Sequence, residues 1–315
     1  EGCPWVGYRW GFDGAGRYPN CTKSSLNNGT WRTASGFPYR LSSISTGDWI
    51  VSVVPLTNGK VYAIYLPAGA VRGRIWNGTA WGNEEVVTTA GIIRRFAHSV
   101  VALRDDVHLA FLEGPSFDVL YFKRIWGVGW GSKEVVEASQ SNVSYPVLSV
   151  DGVRGDVYCS WGYNDVVYYK RRVLDTWDST AVAWVLEHDL IEGTLTSFYE
   201  AGDSKLGVVW TQGVVSPFSV RFACVGLPTP LRVRNLDTGL EYATIQEAID
   251  ASETLDGHRI FVFAGEYVGP VTVDKSLSLI GEDESATVID GNGSLSVIRV
   301  FADNVSVSGF TICNG

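Results

Sequence analysis

Two stretches of this chain carry nearly the same text. Residues 74–87 read RIWNGTAWGNEEVV and residues 124–136 read RIWGVGWGSKEVV. The recurrence runs further. A Trp follows a turn sequence at Trp31, Trp81, Trp130 and Trp177, with gaps of 50, 49 and 47 residues. A second landmark, a five-residue apolar run closing on an aromatic, ends at Tyr65, Phe111, Trp161 and Trp210, with gaps of 46, 50 and 49. Two separate landmarks with one period restrict the chain to a repeat architecture, in which each unit buries its apolar faces against its neighbours.

Each period divides in the same way. HSVVALR, VHLAFLE, DVLYFKRIW and WGSKEVV are β-type runs separated by turn compositions, and PVLSVDG, DVYCSWGY, DVVYYKRRV and WDSTAVAWVLE repeat the series. Four strands per period predict an all-β fold, a β-propeller of four-stranded blades. Repeats begin near 49, 98, 146 and 196, residues 1–48 form one more, and the last breaks off at PTP, 228–230. About five blades over residues 1–228 follow. A four-bladed ring closed by N-terminal strands and a ring completed by upstream sequence are the alternatives. Trp31, Tyr65, Trp81, Phe111, Trp130, Trp161, Trp177 and Trp210 are the expected blade-core aromatics, wedges between sheets.

The strand–turn–Trp units containing YFKRIW and YYKRR resemble the BNR/sialidase-like propellers over residues 1–227. NNGTW (27–31) and NGTAW (77–81) keep the Gly, Thr and Trp of that family's Asp-box. The resemblance implies the fold. The family's arginine cluster, Tyr/Glu nucleophile pair and acid have no residue-by-residue match here.

The pattern changes after PTP. In LEYATIQEAIDA, Thr244 and Glu247 have capping-box spacing, and Ile245, Ala248 and Ile249 make one apolar face, which predicts a helix over about 244–252. Very short apolar strands with frequent turns follow, from IFVFAG (260–265) to VSVSGFTI (305–312). ATIQEAIDA, AGEYVGPVTVDKSLSLIGED, TVIDGNGS and DNVSVSGFTICNG closely resemble the start of a right-handed parallel β-helix of the pectin-lyase-like/NosD type. The resemblance implies that residues 229–315 are its N-terminal coils, with the helix closing the mouth and each coil stacked in parallel on the last. An open far end exposes apolar rungs, so the expectation is that further coils follow or that the end self-associates with another subunit.

Composition sets limits on function. A net charge of −9 is the wrong sign for a nucleic-acid partner. No apolar run of 18 residues occurs, so no membrane-spanning helix is expected. The chain lacks Met and opens EGCPWVGYRW, which reads as a processed or partial chain. Asn-x-Ser/Thr occurs at Asn20, Asn28, Asn77, Asn142, Asn292 and Asn304. Chance supplies about two at average composition, so the excess points to a glycosylated protein that is extracellular or at the cell surface. Cys3 and Cys21 flank a Gly-rich loop that a disulfide would staple. Cys159, in VYCSW, reads as a buried small hydrophobe.

No metal-ligand spacing, nucleophile elbow, P-loop or dinucleotide fingerprint is present, so no metal, cofactor or catalytic residue is assigned. His98, His108, His188 and His258 stand in unrelated contexts, and mid-strand His108 reads as structural. A glycosidase needs two carboxylates about 5–10 Å apart. Candidates near the ends of inner strands are Asp48, Asp105, Asp106, Asp151 and Glu200, which also suit turn capping. Asp283, Asp290 and Asp303 belong to turns of the second repeat. Trp76, Trp126, Trp161, Tyr168 and Tyr169 are aromatics able to stack on sugars or to pack blades. The leading expectation is a surface protein for adhesion, glycan binding or surface assembly, with glycans or other surface proteins as partners. The alternatives are a polysaccharide-active enzyme, glycosidase or lyase, and a subunit of an extracellular homopolymer.

Overall fold

The computed structural model describes residues 2–11, 16–45, 51–66, 70–89, 98–113, 116–138, 146–152, 155–173, 175–186, 195–201, 205–213, 215–227 and 232–315. Asp48, Asn142, His188 and the PTP stretch lie outside them. The chain is nearly all β and separates into two compact units, Glu1–Gly226 and Leu227–Gly315.

Among the described residues, the first unit contains five consecutive antiparallel sheets. The first is β1 (Trp5–Trp10), β2 (Tyr18–Lys23) and β3 (Tyr39–Arg40). The second is β4 (Val51–Pro55), β5 (Val61–Tyr65), β6 (Val71–Trp76) and β7 (Glu85–Thr88). The third is β8 (His98–Leu103), β9 (Asp106–Glu113), β10 (Asp118–Ile125), β11 (Gly129–Trp130) and β12 (Glu134–Glu137). The fourth is β13 (Val147–Asp151), β14 (Asp156–Tyr163), β15 (Val166–Val173), β16 (Thr176–Trp177) and β17 (Val182–Leu186). The fifth is β18 (Thr196–Ser197), β19 (Lys205–Gln212) and β20 (Ser219–Gly226). Within each sheet the strands meander, and the first strands β1, β4, β8, β13 and β18 lie side by side in that order. The backbones of β1 and β4 approach so closely that a Cβ on Gly7 would collide with the carbonyl of Val51.

Strand alternation explains why each internal sheet needs two neighbours. In the third sheet, Leu109, Phe111, Leu120 and Phe122 enter a cluster with Tyr62 and Ile64 of the second. The intervening Ala110, Leu112, Val119 and Tyr121 enter a cluster with Leu148, Cys159 and Trp161 of the fourth. Successive side chains point to opposite faces, so both faces of one sheet are covered. Tyr65, Phe111, Trp161 and Trp210 are 0–2 % exposed.

A polar clamp recurs at two of these junctions. Arg124 on β10 holds Glu85 of the preceding sheet through Nε–Oε2 and Nη2–Oε1 bonds, both 2.7 Å, and its guanidinium lies 5.1 Å from the Tyr62 ring centroid. Arg172 on β15 holds Glu134 in the same bidentate way, at 3.2 and 2.8 Å, and lies 4.9 Å from Tyr121. Two of the hairpin Trp residues join these clamps. Trp130 Nε1 donates to Tyr62 Oη at 2.9 Å, and Trp177 meets Tyr121 edge-on at 5.0 Å. Trp81 instead packs among Trp5, Tyr39 and Trp76. The side chains of Arg124 and Arg172 are only 9 % and 7 % exposed, so each charge depends on its carboxylate partner.

Two sequence expectations are corrected in the first sheet. Cys3 and Cys21 form no disulfide; all five cysteines are free thiols. Cys21 sits opposite Gly7 in the β1–β2 ladder, and Trp5 already pairs with Lys23. Cys3 therefore falls about four residues along from Cys21, roughly 13 Å at strand rise, where a disulfide tolerates about 7 Å between Cα atoms. Trp31 is not a core residue. It is 43 % exposed, on a loop closed by the Ser24–Thr33 bridge, and its Nε1 donates to Thr33 Oγ1 at 3.2 Å.

The second unit opens with β21 (Val233–Asn235) and β22 (Glu241–Tyr242), followed by α1 (Ile245–Asp250). The α1 cap is reciprocal: Thr244 Oγ1 accepts from Glu247 N at 3.1 Å, and Glu247 Oε2 accepts from Thr244 N at 3.2 Å. At its other end Lys275 Nζ donates to the carbonyls of Ile249 and Ala251, satisfying groups the last turn leaves open. Then come β23 (Arg259–Val262), β24 (Gly265–Val268), β25 (Val271–Val273), β26 (Ser278–Gly281), β27 (Thr287–Asp290), β28 (Ile298–Val300), β29 (Ser306–Ser308) and β30 (Thr311–Cys313). They pair in parallel as β23–β26–β29, β24–β27–β30 and β25–β28. Like residues stack in register: Ile260, Leu279 and Val307 in one ladder, Tyr267, Ile289 and Ile312 in the next. Gly281 and Gly309 meet backbone to backbone, leaving no room for a side chain at either.

Two substitutions separate the forces at work. Arg124→Ala strands the Glu85 carboxylate and uncovers Tyr62, so urea unfolding of the first unit is expected to lose about 2–3 kcal/mol. Thr244→Ala is expected to cost the second unit about 1 kcal/mol and to leave the first unchanged. An unaltered first transition in Arg124→Ala would show that the clamp adds nothing to apolar packing.

Candidate functional site

The row of first strands is joined by serines. Ser52 Oγ lies 2.9 Å from His98 Nε2 on β8, and Ser99 Oγ accepts from the Leu148 amide on β13 at 2.9 Å. Ser149 Oγ donates to the Phe198 carbonyl at 2.6 Å, and Ser197 Oγ donates to the Leu148 carbonyl at 3.1 Å. Tyr199 reaches past β13: its hydroxyl accepts from the Ala102 amide at 2.6 Å and donates to the Ala102 carbonyl at 2.9 Å. These residues stitch sheet to sheet. Their signal was present in the sequence as serines at 52, 99, 149 and 197, one per period. Reading for aromatic landmarks passed over it, as it passed over the Arg–Glu clamps.

The described candidate carboxylates, Asp105, Asp106, Asp151 and Glu200, lie where first strands pass into second strands. Asp105 accepts from Thr57 N and Thr57 Oγ1, both at 2.7 Å, and from Lys60 Nζ at 2.5 Å. Burial works against its charge, but these bonds outweigh it and hold the carboxyl below its ordinary range. Asp106 accepts from the Trp126 amide at 2.9 Å and shares Lys123 with Asp175, at 3.2 and 2.9 Å. Arg172 also binds Asp175. Asp105 and Asp106 thus tie the turns of adjacent sheets together.

Asp151 and Glu200 are brought closer. Asp151 is opposite Asp156 in the β13–β14 register, and the two residues are 3 % and 5 % exposed. Glu200 forms a parallel bridge to Val150, with its carboxylate beside Gly152. Arg171 Nη1 faces Asp156 at 3.8 Å. No group of three or more His, Cys, Asp or Glu able to hold a metal occurs among the described residues.

The aromatic candidates divide by exposure. Trp161 is 1 % exposed and stacks on Tyr168, Tyr169 meets Trp184 edge-on, and Trp76 packs with Trp5, Phe37 and Trp81. Trp126 is 42 % exposed, with Lys60 Nζ 4.1 Å from its ring centroid.

The Asn-x-Ser/Thr sites divide too. Asn28, Asn77, Asn292 and Asn304 are exposed. Asn77 Oδ1 accepts from Thr79 N at 2.9 Å, Thr79 Oγ1 at 3.0 Å and Ala80 N at 2.8 Å. This Asx turn ties the first and third residues of the triplet together at the hairpin tip. Asn28 makes the shorter version, accepting from Thr30 N at 3.1 Å. Asn292 and Asn304 hold left-handed turn positions, with φ of 49° and 54°. Asn20 differs: it lies within β2, is 8 % exposed, and its Nδ2 donates to the Tyr18 carbonyl at 2.8 Å.

A scan against protein-family profiles finds no match. A 90-residue stretch is 38 % identical to a "Cell surface glycoprotein" of Methanothermus fervidus; the match covers 29 % of this chain and 15 % of the relative, so the chain spans a small part of that protein. Similar solved structures include a mutant of NanB sialidase from Streptococcus pneumoniae, 14 % identical with a TM-score of 0.42, over 67 % of this chain and 36 % of that one. The α-L-arabinofuranosidase PaAbf62A from Podospora anserina is 9 % identical with a TM-score of 0.42, over 72 % of this chain and 88 % of that one. These structural likenesses are too remote to carry an argument. No helix among the described residues is long and apolar enough to cross a membrane.

The junction residues make acid the vulnerable side. Burial pushes His98 down to about 4, and burial, aided by Lys123, pushes His108 down to about 3. His108 Nδ1 bonds Tyr121 Oη at 2.5 Å and its Nε2 is buried without a hydrogen-bond partner. The unfolded chain takes up these protons near 6.5, so stability falls as pH drops below 6.5 toward the folded values. Glu84, Glu85, Asp105 and Asp175 are held below their ordinary ranges and add losses of the same sign at lower pH. The urea midpoint is expected to be flat from about pH 8 to 7 and to fall steadily below pH 6.5, with a shallower fall in His98→Gln. A midpoint unchanged between pH 7 and 5 would contradict this account.

Proposed function

We propose that this chain is part of a glycosylated cell-surface or secreted protein whose role is surface assembly and adhesion rather than chemistry on a small substrate. The observation carrying the reading is the placement of the glycan-acceptor triplets. Asn28, Asn77, Asn292 and Asn304 occupy exposed turns, and Asn77 is folded into an Asx turn before any glycan arrives. The likeness of one stretch to a cell surface glycoprotein supports the same reading.

The first unit is read as a five-bladed propeller, supported by five meandering sheets whose first strands lie side by side. The second is read as the N-terminal coils of a right-handed parallel β-helix capped by α1, supported by its in-register parallel ladders. Val300, Phe301 and Ile312 are 51, 75 and 50 % exposed, an apolar surface suited to a further coil or to a coil of another subunit.

Glycopeptide mapping of the protein from its native source tests the central reading. Occupancy is expected at Asn77 and at one or more of Asn28, Asn292 and Asn304, with Asn20 bare. A native protein carrying no glycan at these four positions would overturn it.

A further inference from the structure

The junction between the first and second sheets is built unlike the two that follow it. Arg124 and Arg172 each clamp a Glu of the preceding sheet at the later junctions. Arg74 holds the place of Arg124 in the repeated text RIW, yet it donates within its own hairpin, to the Gly82 carbonyl at 2.9 Å. What joins the first two sheets here is aromatic. Trp5, Phe37 and Tyr39 meet Trp76 and Trp81 with ring centroids 5.4 to 6.1 Å apart. All five side chains are partly exposed. Trp76 and Trp81 are opposed at the base of the hairpin tip, joined by an antiparallel bridge, with their rings edge-on at 5.7 Å. The tip between them, NGTA (77–80), carries an Asn-x-Ser/Thr triplet, whereas the matching turn of the third sheet reads GVG. There the counterpart of Trp76 is Trp126, whose ring has Lys60 Nζ 4.1 Å from its centroid. Asn77 Oδ1 accepts from the amides of Thr79 and Ala80, which holds the side-chain amide in the tip, and Nδ2 is the atom a glycan bonds.

We propose that a glycan on Asn77 folds back so that its first sugar lies against the Trp76–Trp81 pair, which makes the modification a working part of the junction between the first and second sheets. The inference rests on the reading that Asn77 is glycosylated, and it states what the glycan does there. Reach favours it: Asn77 is one strand step, about 3.4 Å, from Trp76, so the first sugar starts beside the rings. Chemistry favours it too. One face of a pyranose is a row of C–H groups, and the face of an indole is electron-rich, so the two are complementary. The rings are still partly wet, so a sugar laid on them removes apolar surface from water. The contact forms between parts of one hairpin and asks for no second molecule.

Glycopeptide mapping of the native protein separates the two claims. Asn77 bare while Asn28, Asn292 or Asn304 is occupied overturns this inference and leaves the protein a glycoprotein; all four bare overturns both. Stability then measures the contact. Asn77→Asp keeps an oxygen acceptor for the Asx turn and cannot carry the glycan. In chain made by a glycosylating host, this substitution is expected to raise the urea unfolding constant of the first unit about three- to tenfold. Asn28→Asp, which removes a glycan from the same unit and adds the same charge, is expected to change it less than about twofold. The parent and Asn77→Asp made in a host without N-glycosylation are expected to unfold alike, which rules out an effect of the charge itself. The direct readout is nuclear magnetic resonance on the glycosylated chain. Ring C–H protons of the sugar on Asn77 are expected to shift upfield and to show Overhauser contacts to an indole of the pair, and Trp76→Leu is expected to diminish both. Should Trp76→Leu fail to fold, the contacts in the parent decide. Equal stability with and without the glycan at Asn77, or sugar protons at their free-solution positions with no contact to either indole, would overturn the proposal.

Discussion

The first unit rests on one constraint: a small antiparallel sheet has two apolar faces and cannot cover either alone. The sequence answers by repeating the sheet, so the partner of each face is a near copy of itself. Alternation along β9 and β10 sends Leu109 and Phe111 one way and Ala110 and Leu112 the other, and both sets are 0–1 % exposed. Apolar packing alone would let neighbouring sheets slide. The bidentate grips of Arg124 on Glu85 and Arg172 on Glu134 add direction, because a planar guanidinium bonds two carboxylate oxygens in only one relative pose. The serines along the first strands fix the same register at the other edge of each sheet.

This division of labour bears on function. Asp105, Asp106 and Asp175 sit where a chemist would look for an acid pair, yet each is bound to Lys60, Lys123 or Arg172. They neutralise the cations that hold sheet to sheet. Of the aromatics that might have met a sugar, Trp161, Tyr168 and Tyr169 are occupied with one another or with Trp184. Among the described residues, the turns bearing Asn28, Asn77, Asn292 and Asn304 face outward.

The legible part of this architecture was whatever repeats within a short window. Strand alternation, turn residues and the Trp spacing reveal the sheet boundaries, and the Thr244–Glu247 box locates α1 because capping acts over three residues. Long-range partners were illegible for a physical reason. Arg124 and Glu85 stand 39 residues apart, and only the approach of two sheets brings them together. The Cys3–Cys21 pairing failed on register: proximity along the chain says nothing about which residues face each other across a ladder. Trp31 failed because its turn closes outside the sheet, where the periodic landmark survives without the burial.

The alternating burial also makes the first unit a one-dimensional system. Apart from Tyr199, which reaches one sheet further, each sheet is coupled to its immediate neighbours, so its free energy is close to a sum over neighbours and is lowest where a sheet has two of them. The second, third and fourth sheets are therefore the thermodynamic centre. Opening runs from the outer sheets inward, like a zipper with two pulls, and exposes the first and fifth sheets to proteases and to exchange with solvent long before the middle is disturbed.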